Sequence, residues 1–320
     1  MKTQTEFLKL RTHLEQQIIG QKKLLDRLLI SILTGGHILL EGAPGLAKTT
    51  AINALASGVH AGFQRIQFTP DLMPGDLTGI DIFDPETHQF KFVNGPIFHE
   101  IVLADEINRA PPKVQSALLE AMAEHQVTVG GVTRKLPDLF VVMATQNPLE
   151  QSGTYPLPEA QLDRFLLHIK LDYPTPEEEL EILKLDRKLH YGEDRETIQS
   201  QLTPDTVLTA RREVADIHVD EMLEKYIVSL ITATRHLGEW HKDWSDYLVA
   251  GASPRASIAL LRAASAMAYI KGRDYVIPED ILEVAPDVLR HRLILDYSAM
   301  AANISADNII QHLLSVIPIP

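Results

Sequence analysis

The chain has 320 residues, 45% hydrophobic and 23% charged, a composition that supports folded domains and excludes a disordered chain. It contains no cysteine, which excludes disulfides, thiolate metal sites and cysteine nucleophiles and leaves the cytoplasm as the expected compartment. A formal net charge of -13 weighs against general nucleic-acid binding, because neutralising phosphates takes a surplus of Lys and Arg.

At about 150 residues per domain, two domains are expected. Residues 1–20 are polar and interrupted by charges, so they hold neither the apolar run of a signal peptide nor the length of a membrane span, and no later segment spans either. Residues 21–34 (QKKLLDRLLISILT) carry apolar side chains on one helical face, and Gly35-Gly36 is the expected helix stop. From His37 to about residue 172, short apolar runs alternate with helix-like stretches, the pattern of an open, mostly parallel sheet covered by helices. Strands are predicted at HILLE (from His37), RIQFT (from Arg65), EIVLA (from Glu100), FVVMA (from Phe140) and LLHIK (from Leu166). Two stretches interrupt them: a turn-rich excursion with a hairpin at about 69–98, and a second hairpin at about 126–136 around Gly130-Gly131. At Tyr173 the texture changes, because YPTPEEE brings two prolines and an acidic run suited to a helix N-terminus. The domain boundary is therefore expected between 173 and 174. Helical patterns follow at about 177–190, 206–218, 221–236, 254–271, 279–291 and 302–316 without a strand, so residues 174–320 are expected to form an all-α lid.

GAPGLAKTT, Gly42 to Thr50, follows one strand and opens a helix, as a phosphate-binding loop requires. Gly42 and Gly45 let the backbone turn its N–H groups inward, with Ala43, Pro44, Leu46 and Thr50 completing the loop. Lys48 is expected to reach the β- and γ-phosphates of ATP, and the Thr49 hydroxyl to ligate Mg2+. Ala47 stands where the generic pattern has a second glycine, which keeps an ordinary glycine turn as the alternative. In IVLADEINR, four apolar residues end in Asp105 and Glu106, and adjacent carboxylates at the end of a buried strand are costly unless something cationic meets them. Asp105 suits Mg2+, directly or through water, and Glu106 suits the general base that polarises the attacking water. The alternative is a strand simply leaving the core. FVVMATQNP ends in Asn147, whose amide is either placed to orient that water or part of an Asn-Pro turn.

In order and spacing, GAPGLAKTT, LADEINR, ATQNP, LPEAQLDRF and GASPRA resemble the MoxR family of AAA+ ATPases, over nearly the whole chain. The resemblance accounts for Ala47, since that family's loop commonly carries alanine before its lysine. It implies an α/β P-loop AAA+ core with a five-stranded parallel sheet of order 5-1-4-3-2, a helix-2 insert (about 69–98) and a pre-sensor-1 hairpin (about 126–136). It further implies ATP and Mg2+ as cofactors, a ring oligomer of hexameric type, a von Willebrand factor A domain partner, and chaperone-like remodelling or activation of a protein client. Carried over residue by residue, Asn147 matches sensor 1, Arg164 in LDRF the arginine finger, and Arg255 in GASPRA sensor 2. Ile18 and Ile19, before Gly20-Gln21, resemble the apolar wall of an adenine pocket. For Arg164 the alternative is a surface arginine paired with Asp163. Ser253 reads as an N-cap and Pro254 as the first helical residue, so Arg255 sets a cation at the positive end of a helix dipole, a local cost that suits a visiting anion.

Two rival readings share these motifs. A magnesium-chelatase-like or DNA-translocating motor has both inserts, and Arg134-Lys135 is the basic pair placed to touch DNA. A nucleotide-gated scaffold with little turnover has no need for Glu106, Asn147 and Arg164 together. The 13 histidines show no HExxH and no ligand-spaced carboxylate partners, so they read as polar surface, and Trp240 and Trp244 are expected to pack between lid elements.

Overall fold

The structure, a computed structural model, describes residues 3–148, 153–190 and 202–320. Helices α1 (Gln4–Gln17) and α2 (Lys22–Thr34) precede strand β1 (Ile38–Glu41). Gly35 closes α2 at φ 70°, the left-handed C-cap that glycine adopts without steric cost, so the predicted stop is the observed one. There follow α3 (Lys48–Gly58), β2 (Phe63–Gln67), a short α4 (Pro74–Thr78), the hairpin β3 (Gly79–Asp84) and β4 (Gln89–Asn94), and β5 (Ile101–Asp105). Helix α5 (Pro112–Glu124), the hairpin β6 (Gln126–Val129) and β7 (Val132–Lys135), β8 (Val141–Gln146), a one-turn α6 (Glu159–Leu162) and β9 (Leu167–Lys170) complete the α/β part.

Five strands form one parallel sheet in the order β2-β5-β8-β1-β9. Numbered among themselves along the chain, they run 5-1-4-3-2 when read from β9, as expected. Both faces are covered, which is why the strands read as unbroken apolar runs. Ile38, Leu40, Val141 and Met143 enter a core shared with α1, α2 and α3, whereas Leu39, Val142 and Ala144 enter a second core under α5. With every strand parallel, all carboxyl ends lie on one side, and a ligand crevice is expected there.

Beyond β9 come α7 (Pro176–His190), α8 (Pro204–Ala215), α9 (Glu221–Arg235), α10 (Leu237–Trp240), β10 (Leu248–Ala250), α11 (Pro254–Ile270), α12 (Pro278–Leu289), β11 (Ile294–Leu295), α13 (Tyr297–Ala301) and α14 (Ala306–Val316). The expectation of a lid without strands is corrected by β10 and β11, which pair antiparallel. Strands of three and two residues are too short to show an alternating pattern. The pattern expected from 302 begins as a helix only at Ala306, after Ser305 caps it through the Asn308 N–H (3.2 Å). Helix α1, which carried no prediction, buries Phe7, Leu10 and Leu14, and it packs with α2 against α11, so the first helices share the lid's core. Trp240 and Trp244 pack against this core, as expected.

The lid is pinned to the sheet by three consecutive side chains. β9 is an edge strand, and the carbonyls along it and just before it need donors. Arg290 Nη1 donates to His168 O, His291 Nε2 lies 3.0 Å from Phe165 O, and Arg292 donates to Phe165 O (2.7 Å) and Leu166 O (3.2 Å). Arg290 also reaches Asp287 (2.8 Å) and Asp307 (2.9 Å).

The two hairpins touch each other. Arg134 on β7 stacks 3.7 Å over the Phe92 ring, with Nη2 3.6 Å from Asp81 Oδ1. Arg134 thus joins the two hairpins. The β3–β4 hairpin presents Ile80, Ile82, Phe83 and Phe90 to solvent, the last 73% exposed.

Candidate nucleotide site

At the carboxyl ends of β1, β5 and β8 lies a cavity of about 390 Å³, lined by Pro44 to Thr50, Arg65, Asp105, Glu106, Thr145 and Asn147. β1 runs directly into the glycine loop, which ends where α3 begins at Lys48, so the first N–H groups of that helix face the cavity. Lys48 Nζ donates to Gly42 O (2.8 Å), which holds the ammonium across its own loop. Burial pushes the Lys48 pKa below its ordinary value, partly offset by the carboxylates of Asp105 and Glu106.

Ala47 sits at φ 55°. That left-handed backbone is the physical reason for a glycine in the generic pattern, and alanine there carries roughly 1 kcal/mol of strain. Glu106 is also left-handed, at φ 57°, in the turn where β5 ends, and its backbone N–H donates to Thr145 Oγ1 (2.8 Å). Non-glycine residues held this way cluster at functional sites. The Thr145 hydroxyl donates in turn to Asp105 Oδ1 (2.6 Å). Glu106 Oε2 accepts from Gln67 Nε2 (2.6 Å) and Arg109 Nη1 (2.9 Å), while Asp105 Oδ2 accepts from Arg65.

Thr49 and Asp105, both on this cavity, offer the hard oxygens that magnesium prefers. Among the described residues, no cluster of three or more His, Asp or Glu forms a metal cage. The donor set therefore fits an ion completed by nucleotide phosphates and water, the usual habit of Mg2+. When bound, such an ion neutralises charge developing on the phosphates.

Residues 37–167 match the profile of the ATPase family associated with various cellular activities (AAA), and residues 244–313 match the AAA lid domain. Chaperone MoxR1 of Mycobacterium tuberculosis is 46% identical over 316 residues, covering 95% of this chain and 79% of that protein. Protein MoxR of Methylorubrum extorquens is 32% identical over 319 residues, covering 95% and 92%. The chain belongs to the MoxR family of AAA+ ATPases. A crystal structure of a candidate ATPase from Cytophaga hutchinsonii superposes with a TM-score of 0.92 at 47% identity, covering 100% of this chain and 96% of that one.

In this MoxR-family chain the loop residues Pro44 to Thr50 meet Asp105, Glu106 and Asn147 in one cavity. Ile18, Ile19 and Gly20 are not among the residues lining it. Ile18 is buried in the core, and Gly20 lies so close to Glu178 of α7 that an added Cβ would stand 3.2 Å from its carboxyl. Arg164 and Arg255 also lie outside the cavity lining. Arg164 Nη1 donates to Leu119 O, and Asp163 instead takes Arg292 (Nε to Oδ1, 2.8 Å) and Arg255 (Nη1 to Oδ2, 3.4 Å). The local Arg164–Asp163 pair is thus replaced by two lid arginines. Ser253 Oγ accepts the Arg255 N–H (3.3 Å) with Pro254 at the first helical position, as read from sequence.

Arg65, Gln67, Arg109 and Thr145 were not singled out from sequence. A usable signal existed: Gln67 ends β2 beside Asp105 on β5, and polar residues closing neighbouring parallel strands face the same crevice.

Proposed function

We propose that this chain hydrolyses ATP at the subunit interfaces of a hexameric ring and uses the resulting motion to remodel or activate a protein client. The observation that carries this reading is the separation of the charged groups. Lys48, Asp105, Glu106 and Asn147 share one cavity, whereas Arg164, bonded to Leu119 O, and Arg255, paired with Asp163, both lie outside its lining. Arginines placed so suit a neighbour's nucleotide better than their own, and Arg255 acts in trans on this reading. Lys48 binds phosphate, Asp105 and Thr49 hold magnesium, and Asn147 orients a water for Glu106 to deprotonate. Arg164 then stabilises charge developing on the neighbour's phosphate.

Residues 1–173 serve as the nucleotide-binding domain and 174–320 as a lid in the cytoplasmic ring, with Ile18, Ile19 and Gly20 as the adenine wall. The von Willebrand factor A domain partner rests on the family resemblance. The apolar tip of the β3–β4 hairpin supports client contact, since an exposed patch of Ile and Phe rarely lacks a function. Engagement of Arg134 by Phe92 and Asp81 weakens the DNA-motor reading.

Steady-state ATPase and nucleotide binding test the proposal together. Lys48→Ala should lose binding, while Glu106→Gln and Arg164→Ala should bind ATP and each lose about 10²-fold or more in turnover. Mixed rings of Glu106→Gln and Arg164→Ala should recover activity above either alone, because some interfaces then pair an intact base with an intact finger. Wild-type turnover by Glu106→Gln removes the general base. No recovery after proven subunit exchange removes the trans finger unless turnover needs an uninterrupted ring, which a dose series of Arg164→Ala into wild type reveals by activity falling faster than the mutant fraction rises; a pure protein without turnover leaves the scaffold.

A further inference from the structure

Arg65 occupies the oxygen that a metal would need. Its Nε (3.0 Å) and Nη2 (2.6 Å) both donate to Asp105 Oδ2, while Oδ1 is taken by Thr145. The same Nη2 donates to Gln67 Oε1 (2.9 Å), and Gln67 Nε2 donates to Glu106 Oε2 (2.6 Å). One guanidinium therefore touches both the carboxylate read as metal ligand and the amide that restrains the carboxylate read as base.

We propose that Arg65 is a latch between metal and base: it competes with magnesium for Asp105, and its displacement releases Gln67 and, through it, Glu106. The inference rests on the reading of Asp105 as the metal ligand for bound ATP. A guanidinium and a divalent cation cannot both hold Oδ2 closely, since they claim the same lone pairs and repel each other. Displacement is cheap on the arginine side, because its side chain is 51% exposed and exposed pairs are weak. Asp105, at 16%, keeps its place through Thr145. The Gln67 amide has one orientation while Arg65 is present: its oxygen must face the guanidinium, so its NH2 faces Glu106. Without that donor the amide is free to turn. Arg109 still meets Glu106 Oε2 at 2.9 Å, so the released carboxylate keeps one partner. Arg65 is on this account a positioning residue that acts through Gln67.

Mn2+ serves as the probe, its binding to the full chain read by electron paramagnetic resonance with a non-hydrolysable ATP analogue at saturation. Arg65→Ala should tighten the Mn2+ midpoint about five- to tenfold, the effect of removing one nearby positive charge at an intermediate dielectric. Arg65→Lys keeps the charge and should stay within about twofold of wild type. Arg65→Gln, which removes the charge but keeps polarity, gives the same reading should the alanine variant misfold. An unchanged midpoint overturns the latch, and a weaker one makes Arg65 a support of the metal site instead. Lys48→Ala separates the two levels of inference. If it binds the analogue as wild type does, the site reading itself fails. If it loses binding while the charge-removing Arg65 variants leave the metal unmoved, only the latch fails.

Discussion

Arg65 and Arg292 each hold an aspartate, and they belong to opposite regimes. The Arg65 side chain is 51% exposed on the rim of the cavity, whereas that of Arg292 is 4% exposed between the lid and the start of β9. Burial pulls the Arg292 pKa below its ordinary value, and Asp163 pulls it back up. Arg292 also donates to the carbonyls of Phe165, which His291 meets as well, and of Leu166. The lesson is that one residue type serves as an exchangeable contact where water can replace it and as a fixed clamp where water cannot. Asp105 on the cavity has the first kind of partner, and the contact between the lid and β9 has the second.

The sharpest way to break this comparison is to truncate both arginines. Arg292→Ala should cost about 3–5 kcal/mol in urea unfolding, because it empties a buried site and removes the bonds of its guanidinium to Asp163 and to the carbonyls of Phe165 and Leu166. Arg65→Ala should cost no more than about 1 kcal/mol. Equal losses would mean that burial does not separate the two.

A core histidine extends the contrast to pH. His37 Nδ1 accepts the Val142 N–H (2.9 Å), so Nε2 carries the proton and faces Met122 O (3.2 Å). Burial pushes its pKa down to about 4, against a smaller upward pull from the Met122 carbonyl. Since the folded value lies below the unfolded one of about 6.5, the unfolded chain binds the extra proton first. Stability present above about pH 6.5 should therefore fall by about 3 kcal/mol as pH drops towards 4. Urea curves at several pH values on wild type and His37→Gln should differ in this slope. Parallel slopes would show that His37 does not titrate with folding. His291, also buried and pushed well down, adds loss of the same sign in both proteins.

The smallest expected effect is at Ala47. Ala47→Gly relieves left-handed strain but frees the unfolded chain, two contributions of roughly 1 kcal/mol or less that oppose each other. Unfolding should shift by less than about 1 kcal/mol, with nucleotide affinity kept. A larger loss would mean that the Ala47 methyl packs in a way its φ does not reveal.

Much of the α/β part was legible because its signals are local. Five apolar runs bounded by loops became the five sheet strands, displaced by one or two residues, and the glycine loop lies where β1 meets α3. The lid was less legible. Helix α1 has a mixed face, and β10 and β11 are held by each other rather than by any pattern of their own.

Within the site the same division holds. Gly42 to Thr50, Asp105, Glu106 and Asn147 announce themselves by residue type at the ends of strands, in the order along the chain that a phosphate-binding-loop pattern leads one to expect. Which cations meet the carboxylates was decided only by folding. Arg65 reaches Asp105 across two neighbouring strands, and Asp163 is met by Arg255 and Arg292 from far along the chain. Sequence by itself determined the chemistry available at each strand end, since that depends on side-chain type and local turn. Tertiary structure alone decided the pairing and the burial of the charges, and with them which contacts hold fast and which can open, because both depend on neighbours remote in the chain.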